Sequence, residues 1–209
     1  AELLRRYSST IYNSLSSANP DAVWVMQGWM FGYQRHIWDP QSIEALLSGV
    51  PDDRMLLIDL AVDFNRFVWH SKRTWEYVPG LFGKNWIYST TPNFGGRSTL
   101  TGVLENYANG HLDALESADR GNIVGYGTSP EGIEQNEVVY ELIADAAWRS
   151  SRLDLEEYLM LYSRARYGAS PEPLRDFWRG MLNSVYSRFT NNARYKWQIR
   201  PMSGHVPTM

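Results

Sequence analysis

Ile123-Val-Gly-Tyr-Gly-Thr-Ser-Pro-Glu-Gly-Ile-Glu-Gln-Asn-Glu137 is the stretch on which the fold turns. A β-branched apolar run stops at a Gly/Pro-rich turn, the turn presents the carboxylate of Glu131, and Asn136 and Glu137 stand at the start of a helical pattern. Enzymes built of alternating strands and helices place their chemistry at this kind of strand-to-helix junction.

The same junction recurs upstream. Ala22 to Met26 is a short apolar run ending at Gln27-Gly28-Trp29, and its continuity predicts a strand covered on both faces. Asp39-Pro40 opens a helix to Leu47, Met55 to Leu60 returns to strand, and Asn85 to Ser89 is a third strand before Gly95-Gly96. Helices are predicted over Glu2 to Ala18, Leu100 to Leu115 and Asn136 to Arg149. Four strand-then-helix units in succession predict an α/β fold with a parallel sheet, its working edge at the strand carboxyl ends. An eightfold β/α barrel takes about 250 residues. The expectation is therefore a partial (β/α)8 barrel over residues 1–149, its C-terminal half. Residues 150–209 read as the start of an all-α domain, with amphipathic patterns from Asp154 to Tyr167 and Pro173 to Phe189 and an aperiodic tail from Pro201.

Composition narrows the chemistry. The 209 residues have a net charge of −3 and no basic cluster, so no nucleic-acid partner is expected. No apolar stretch approaches the roughly 20 residues of a membrane span. Cysteine is absent, which excludes disulfides and thiol chemistry, and His36, His70, His111 and His205 lack metal-ligand spacing. Neither metal nor cofactor is expected. A dinucleotide fingerprint, a phosphate loop and a serine-hydrolase elbow are likewise missing.

What remains suits a sugar. Gln27 and Trp29 follow the first strand, Asp63 the second, Asn93 the third and Glu131 the fourth, which sets an indole, two amides and two carboxylates along one edge. Pyranoses combine an apolar face for stacking with hydroxyls that need polar partners. Of the 9 Trp, Trp24, Trp148 and Trp178 are expected in the core, whereas Trp29, Trp38 and Trp69 are candidates for exposure.

The runs Ala22 to Phe31, Asn93 to Gly96, Pro130 to Tyr140 and Arg166-Tyr-Gly168 resemble the α-N-acetylglucosaminidases of glycoside hydrolase family 89. The resemblance covers nearly the whole chain, and the Pro130 to Tyr140 run is highly specific. It implies a retaining hydrolase that removes terminal α-linked N-acetylglucosamine, lysosomal in animals and acting on host glycans in bacteria. Glu131 matches the catalytic nucleophile and Trp29 an active-site wall residue; Asn136 and Glu137 are expected to hold the nucleophile's loop. The family's acid/base glutamate belongs to an Asn-Glu pair upstream of the opening helix, and none precedes Ala1 here. The chain is thus expected to act with the N-terminal remainder of the same enzyme. The alternative is a carbohydrate-binding module or inactive fragment lacking the acid. Pro92 stands where many members have His, Arg97 where they have Asn, and Asp63 where relatives often carry Glu.

Overall fold

The computed structural model describes residues 1–92, 100–131 and 136–188. Helix α1 (Glu2–Ala18) leads into strand β1 (Trp24–Gln27) and a short helix α2 (Trp29–Tyr33). Helix α3 (Pro40–Leu47) follows, opened by Asp39, whose carboxylate accepts the Ser42 N–H at 2.9 Å. Strand β2 (Met55–Asp59), helices α4 (Val62–Phe67) and α5 (Thr74–Tyr77) and strand β3 (Asn85–Thr90) come next. The chain continues through strand β4 (Gly102–Val103), helix α6 (Leu104–Glu116), strand β5 (Asn122–Thr128) and helices α7 (Glu137–Ala146), α8 (Leu155–Tyr167) and α9 (Glu172–Leu182), to strand β6 (Ser187–Arg188).

Strands β1, β2, β3 and β5 form one sheet in that order, every pairing parallel, as the alternation of apolar runs and helices predicts. Residues paired across a parallel sheet share a face. Met55, Leu57, Trp86 and Tyr88 lie buried under the helices with Phe31, Ile43, Leu47 and Trp75. The opposite face carries Val25, Gln27, Leu56, Ile58, Ile87 and Gly125, and Val25 is 53% exposed. Strand β1 was expected to be covered on both faces; among the described residues its second face is open. A second apolar cluster joins α6, α7, α8 and α9 through Leu104, Val139, Leu142, Leu159, Tyr162 and Trp178.

Two of the predicted helices are cut short for one shared reason. Gly102 has φ +124°, outside helical range, so α6 starts at Leu104 rather than Leu100. The Gly102–Val103 segment pairs antiparallel with Ser187–Arg188, and the Leu104 N–H donates to the Tyr186 carbonyl at 3.2 Å. That pairing draws the chain out of helix after Leu182, short of the expected Phe189. Trp148, expected in the core, is 92% exposed because α7 stops at Ala146 and the helical stripe no longer turns it inward.

The turn into β5 rests on two glycine backbones in contact. Gly121 has φ +55°, and a Cβ there would lie 2.5 Å from both the Cα and the carbonyl oxygen of Gly80, itself at φ +64°. Gly168, which ends α8 at φ +79°, has nothing within 4 Å of the same position. Gly168→Ala is expected to cost only the left-handed backbone penalty of about 1–2 kcal/mol, and Gly121→Ala at least about twice that, because backbone cannot move aside as a side chain does. Urea unfolding midpoints compare the two directly; equal losses would contradict the backbone contact.

Candidate functional site

The carboxyl ends of the four parallel strands lie along one edge, which is where the expected residues gather. At the end of β1, Gln27 is exposed and its side-chain oxygen accepts the indole N–H of Trp29 at 3.1 Å. Trp29 begins α2, not a loop, and is half-buried. Its ring lies 5.6 Å from that of Trp69 and 5.9 Å from Tyr33. Trp38 is also half-buried, edge-on to Phe31 at 5.2 Å.

Asp63 was expected to contact sugar, yet it is fully buried in the first turn of α4. Both of its oxygens accept the backbone N–H of Thr91, at 3.0 and 3.1 Å, and Oδ2 accepts the Tyr107 hydroxyl at 3.1 Å. Burial pushes this carboxyl up to about 6, against the lowering by the Thr91 N–H and the Tyr107 hydroxyl. Burial likewise raises Tyr107 well above its ordinary range, with the Asp63 charge adding to the shift. The Tyr107 carbonyl accepts the Tyr126 hydroxyl at 3.0 Å, and the Thr91 hydroxyl donates to Leu60 O at 2.6 Å. Asp63 is thus an internal acceptor that ties the end of β3 to α4 and α6, with β5 joined through Tyr126.

At the far edge, the Ser129 N–H donates to the Thr90 carbonyl at 2.9 Å, extending the β3–β5 ladder one step past Thr128. Pro130 and Glu131 follow, and Glu131 is exposed. Gly125 and Gly127 of β5 point to the open face beside Ile87, where an added Cβ would make ordinary contacts at 3.5 Å. The strand that leads to Glu131 therefore presents a low, side-chain-free floor. Strands β1 and β5 are the two ends of the four-stranded sheet, three spacings of about 4.8 Å apart, so Trp29 follows the strand at one end of the edge and Glu131 the strand at the other.

Asn136 precedes α7 without a side-chain capping bond, and its side-chain oxygen accepts the Tyr186 hydroxyl at 2.8 Å; Glu137 pairs with Arg166 of α8. Both were expected to brace the Glu131 loop, and the partners seen for them belong to the helical segment. Asn93 lies outside the described residues, as do 132–135 between Glu131 and Asn136.

Sequence reasoning missed Thr91, Tyr107 and Tyr126. It also missed Asp59, the last residue of β2, which is fully buried and faces the Thr74 hydroxyl and the N–H groups of Thr74 and Trp75. Neither Asp59 oxygen makes a hydrogen bond of ordinary geometry among the described residues, and burial pushes the carboxyl up to about 7. Nothing in the sequence marks these residues, because each pairing joins separate elements. Among the described residues no group of three or more His, Cys, Asp or Glu is placed to hold a metal ion, and no helix is long and apolar enough to cross a membrane.

Residues 1–150 match the family model described as the alpha-N-acetylglucosaminidase (NAGLU) tim-barrel domain. Human alpha-N-acetylglucosaminidase is 35% identical over 181 residues, which are 86% of this chain and 23% of the human protein. A family 89 glycoside hydrolase from Clostridium perfringens, solved in complex with PUGNAc, superposes with a TM-score of 0.71 at 26% identity over 88% of this chain and 19% of that one. A form of the C. perfringens enzyme with two Glu-to-Gln substitutions, in complex with its substrate GlcNAc-alpha-1,4-galactose, superposes with a TM-score of 0.68 at 26% identity over 90% and 19%. The chain thus spans about a quarter of the human relative and about a fifth of the bacterial one. Its four parallel β/α units are part of a TIM-type barrel followed by a helical segment, and the chain belongs to the α-N-acetylglucosaminidase family, glycoside hydrolase family 89.

Proposed function

We propose that this chain carries the nucleophile of a retaining glycosidase that removes terminal α-linked N-acetylglucosamine from glycans. The observation that carries the reading is the placement of Glu131: exposed, three residues past the end of β5, on the edge that also holds Gln27 and Trp29. Membership of the family and the substrate named for the C. perfringens relative support it.

In this mechanism a Glu131 oxygen attacks the anomeric carbon from the face opposite the leaving group and forms a covalent glycosyl-enzyme. A second carboxyl, about 5–5.5 Å away, gives its proton to the departing glycosidic oxygen. The same group then takes a proton from water, which displaces Glu131 and restores the original configuration. Asp63 cannot serve as that second carboxyl, since it is fully buried and its oxygens are held by Thr91 and Tyr107. Asp63 is a positioning residue, and the acid/base group is assigned, as the family resemblance implies, to the N-terminal remainder of the enzyme. Trp29, with its indole N–H on Gln27, offers the stacking face for the N-acetylglucosamine ring, and Asn93 is kept as a polar contact to the sugar. Asn136 and Glu137 anchor the start of α7 through Tyr186 and Arg166. Residues 1–149 are assigned to the barrel and 150–209 to the opening of an all-α domain, a division supported by the end of the family match at residue 150.

In the enzyme with its complete barrel, Glu131→Gln is expected to lower kcat on an aryl α-N-acetylglucosaminide by more than about a thousandfold, as measured by aryl release. Turnover within tenfold of wild type would remove Glu131 from the role.

Asp63 yields a stability prediction. Asp63→Ala leaves the Thr91 N–H and the Tyr107 hydroxyl without their acceptor and should cost about 2–4 kcal/mol. Because the folded carboxyl titrates at about 6 against an ordinary 3.8, the folded state retains a proton that the unfolded state gives up. That stabilisation is complete below about pH 4 and lost as pH rises through about 6. Asp63→Asn lacks the titration, so its stability relative to wild type should improve by up to about 3 kcal/mol from pH 4 to pH 7 in urea unfolding. A difference independent of pH would show that the carboxyl is not buried as described.

A further inference from the structure

The aromatic surface that begins at Trp29 extends beyond the part the site uses. Trp29 and Tyr33 stand four residues apart on α2, one helical turn, and so share a face. Trp69, from the loop after α4, meets both: its ring is 4.3 Å from Tyr33 and 5.6 Å from Trp29, with Phe64 beneath it at 5.6 Å. Tyr33 remains 44% exposed, and Trp29 and Trp69 are half-buried. Rings gathered only to fill a core would be covered.

The scaffold under these rings is held firmly. The Trp69 N–H donates to the Phe64 carbonyl at 2.9 Å, the Ser71 N–H to the Asn65 carbonyl at 2.7 Å, and the Ser71 hydroxyl to Asn65 Oδ1 at 3.0 Å. Between Trp69 and Ser71 the backbone is strained, with His70 at φ +49°. Non-glycine residues in that region persist only where their surroundings hold them there, and such positions concentrate at ligand-binding sites. Gly32, between the two α2 rings, has no room for a Cβ, which would lie 2.7 Å from the Lys72 carbonyl. Helix α2 is thereby pressed against the loop that carries Trp69, and the rings keep a fixed arrangement.

Position gives the surface its ligand. It lies at the β1–β2 end of the edge whose other end, after β5, carries Glu131. Trp29 is the ring nearest the strand end, and Tyr33 and Trp69 continue the aromatic face outward from it. We propose that the Tyr33–Trp69 surface is a second carbohydrate subsite that stacks the hexopyranose ring on the leaving-group side of the bond Glu131 attacks. The inference rests on the glycosidase reading above.

The test uses the enzyme with its complete barrel and the disaccharide GlcNAc-α-1,4-galactose. Trp69→Ala and Tyr33→Ala are each expected to raise KM for the disaccharide about tenfold with kcat within about twofold, while Kd for a single-ring iminosugar of N-acetylglucosamine configuration stays unchanged. Trp69→Phe, which keeps a stacking ring, should recover most of the KM. An unchanged KM in both alanine variants overturns the subsite. So does a parallel loss of iminosugar affinity, which would assign the rings to the N-acetylglucosamine pocket or to the fold. If wild type releases no N-acetylglucosamine from the disaccharide, the glycosidase reading fails by itself, and calorimetry then decides the subsite. Disaccharide binding lost in Trp69→Ala would support it, and binding that persists in that variant, or is absent from wild type, would overturn it.

Discussion

The edge of the sheet depends on one buried carboxylate. Asp63 takes the Thr91 N–H on both oxygens and the Tyr107 hydroxyl on one, and Tyr107 in turn accepts the Tyr126 hydroxyl through its carbonyl. Three bonded groups therefore bring the end of β3, the body of α6 and the middle of β5 to the start of α4. In a low-dielectric interior such a network is strong when every partner is present and costly when one is removed. Its effect on function is geometric: the chain that leaves β5 for Glu131 starts from a strand whose neighbours are fixed.

Rigidity below the edge and exposure at it divide the labour. Asp63 and Asp59, both fully buried with raised carboxyls, do internal work, and Glu131 alone of these three carboxylates reaches solvent. Gly125 and Gly127 keep the floor beside Glu131 low, while Trp29, Tyr33 and Trp69 build a wall at the opposite end. A flat floor and an aromatic wall suit a ligand with one apolar face and many hydroxyls.

Much of this order was legible in the sequence because it is local. The strands read at Ala22 to Met26, Met55 to Leu60, Asn85 to Ser89 and Ile123 to Gly127 are, within a residue or two, the four parallel strands, and the cap Asp39 opens the helix expected of it. Glu131 stood out because a turn must follow a strand that ends in Gly-Thr-Ser-Pro. What stayed hidden depends on distant partners. Asp63 appears as an edge carboxylate until Thr91, 28 residues on, and Tyr107, 44 residues on, close over it. The β4–β6 pairing joins two-residue segments that have no periodicity of their own, and it shortens two helices whose apolar stripes run on. Helices α2, α4 and α5, of five, six and four residues, are too short for a 3.6-residue period to show.

The most direct test of Glu131 as a nucleophile is the anomer first released by the enzyme with its complete barrel, followed by proton NMR before the product mutarotates. Attack by Glu131 and then by water inverts the anomeric carbon twice, so α-N-acetylglucosamine is predicted to appear first from an α-linked substrate. First appearance of the β anomer would mean a single displacement by water and would contradict the account.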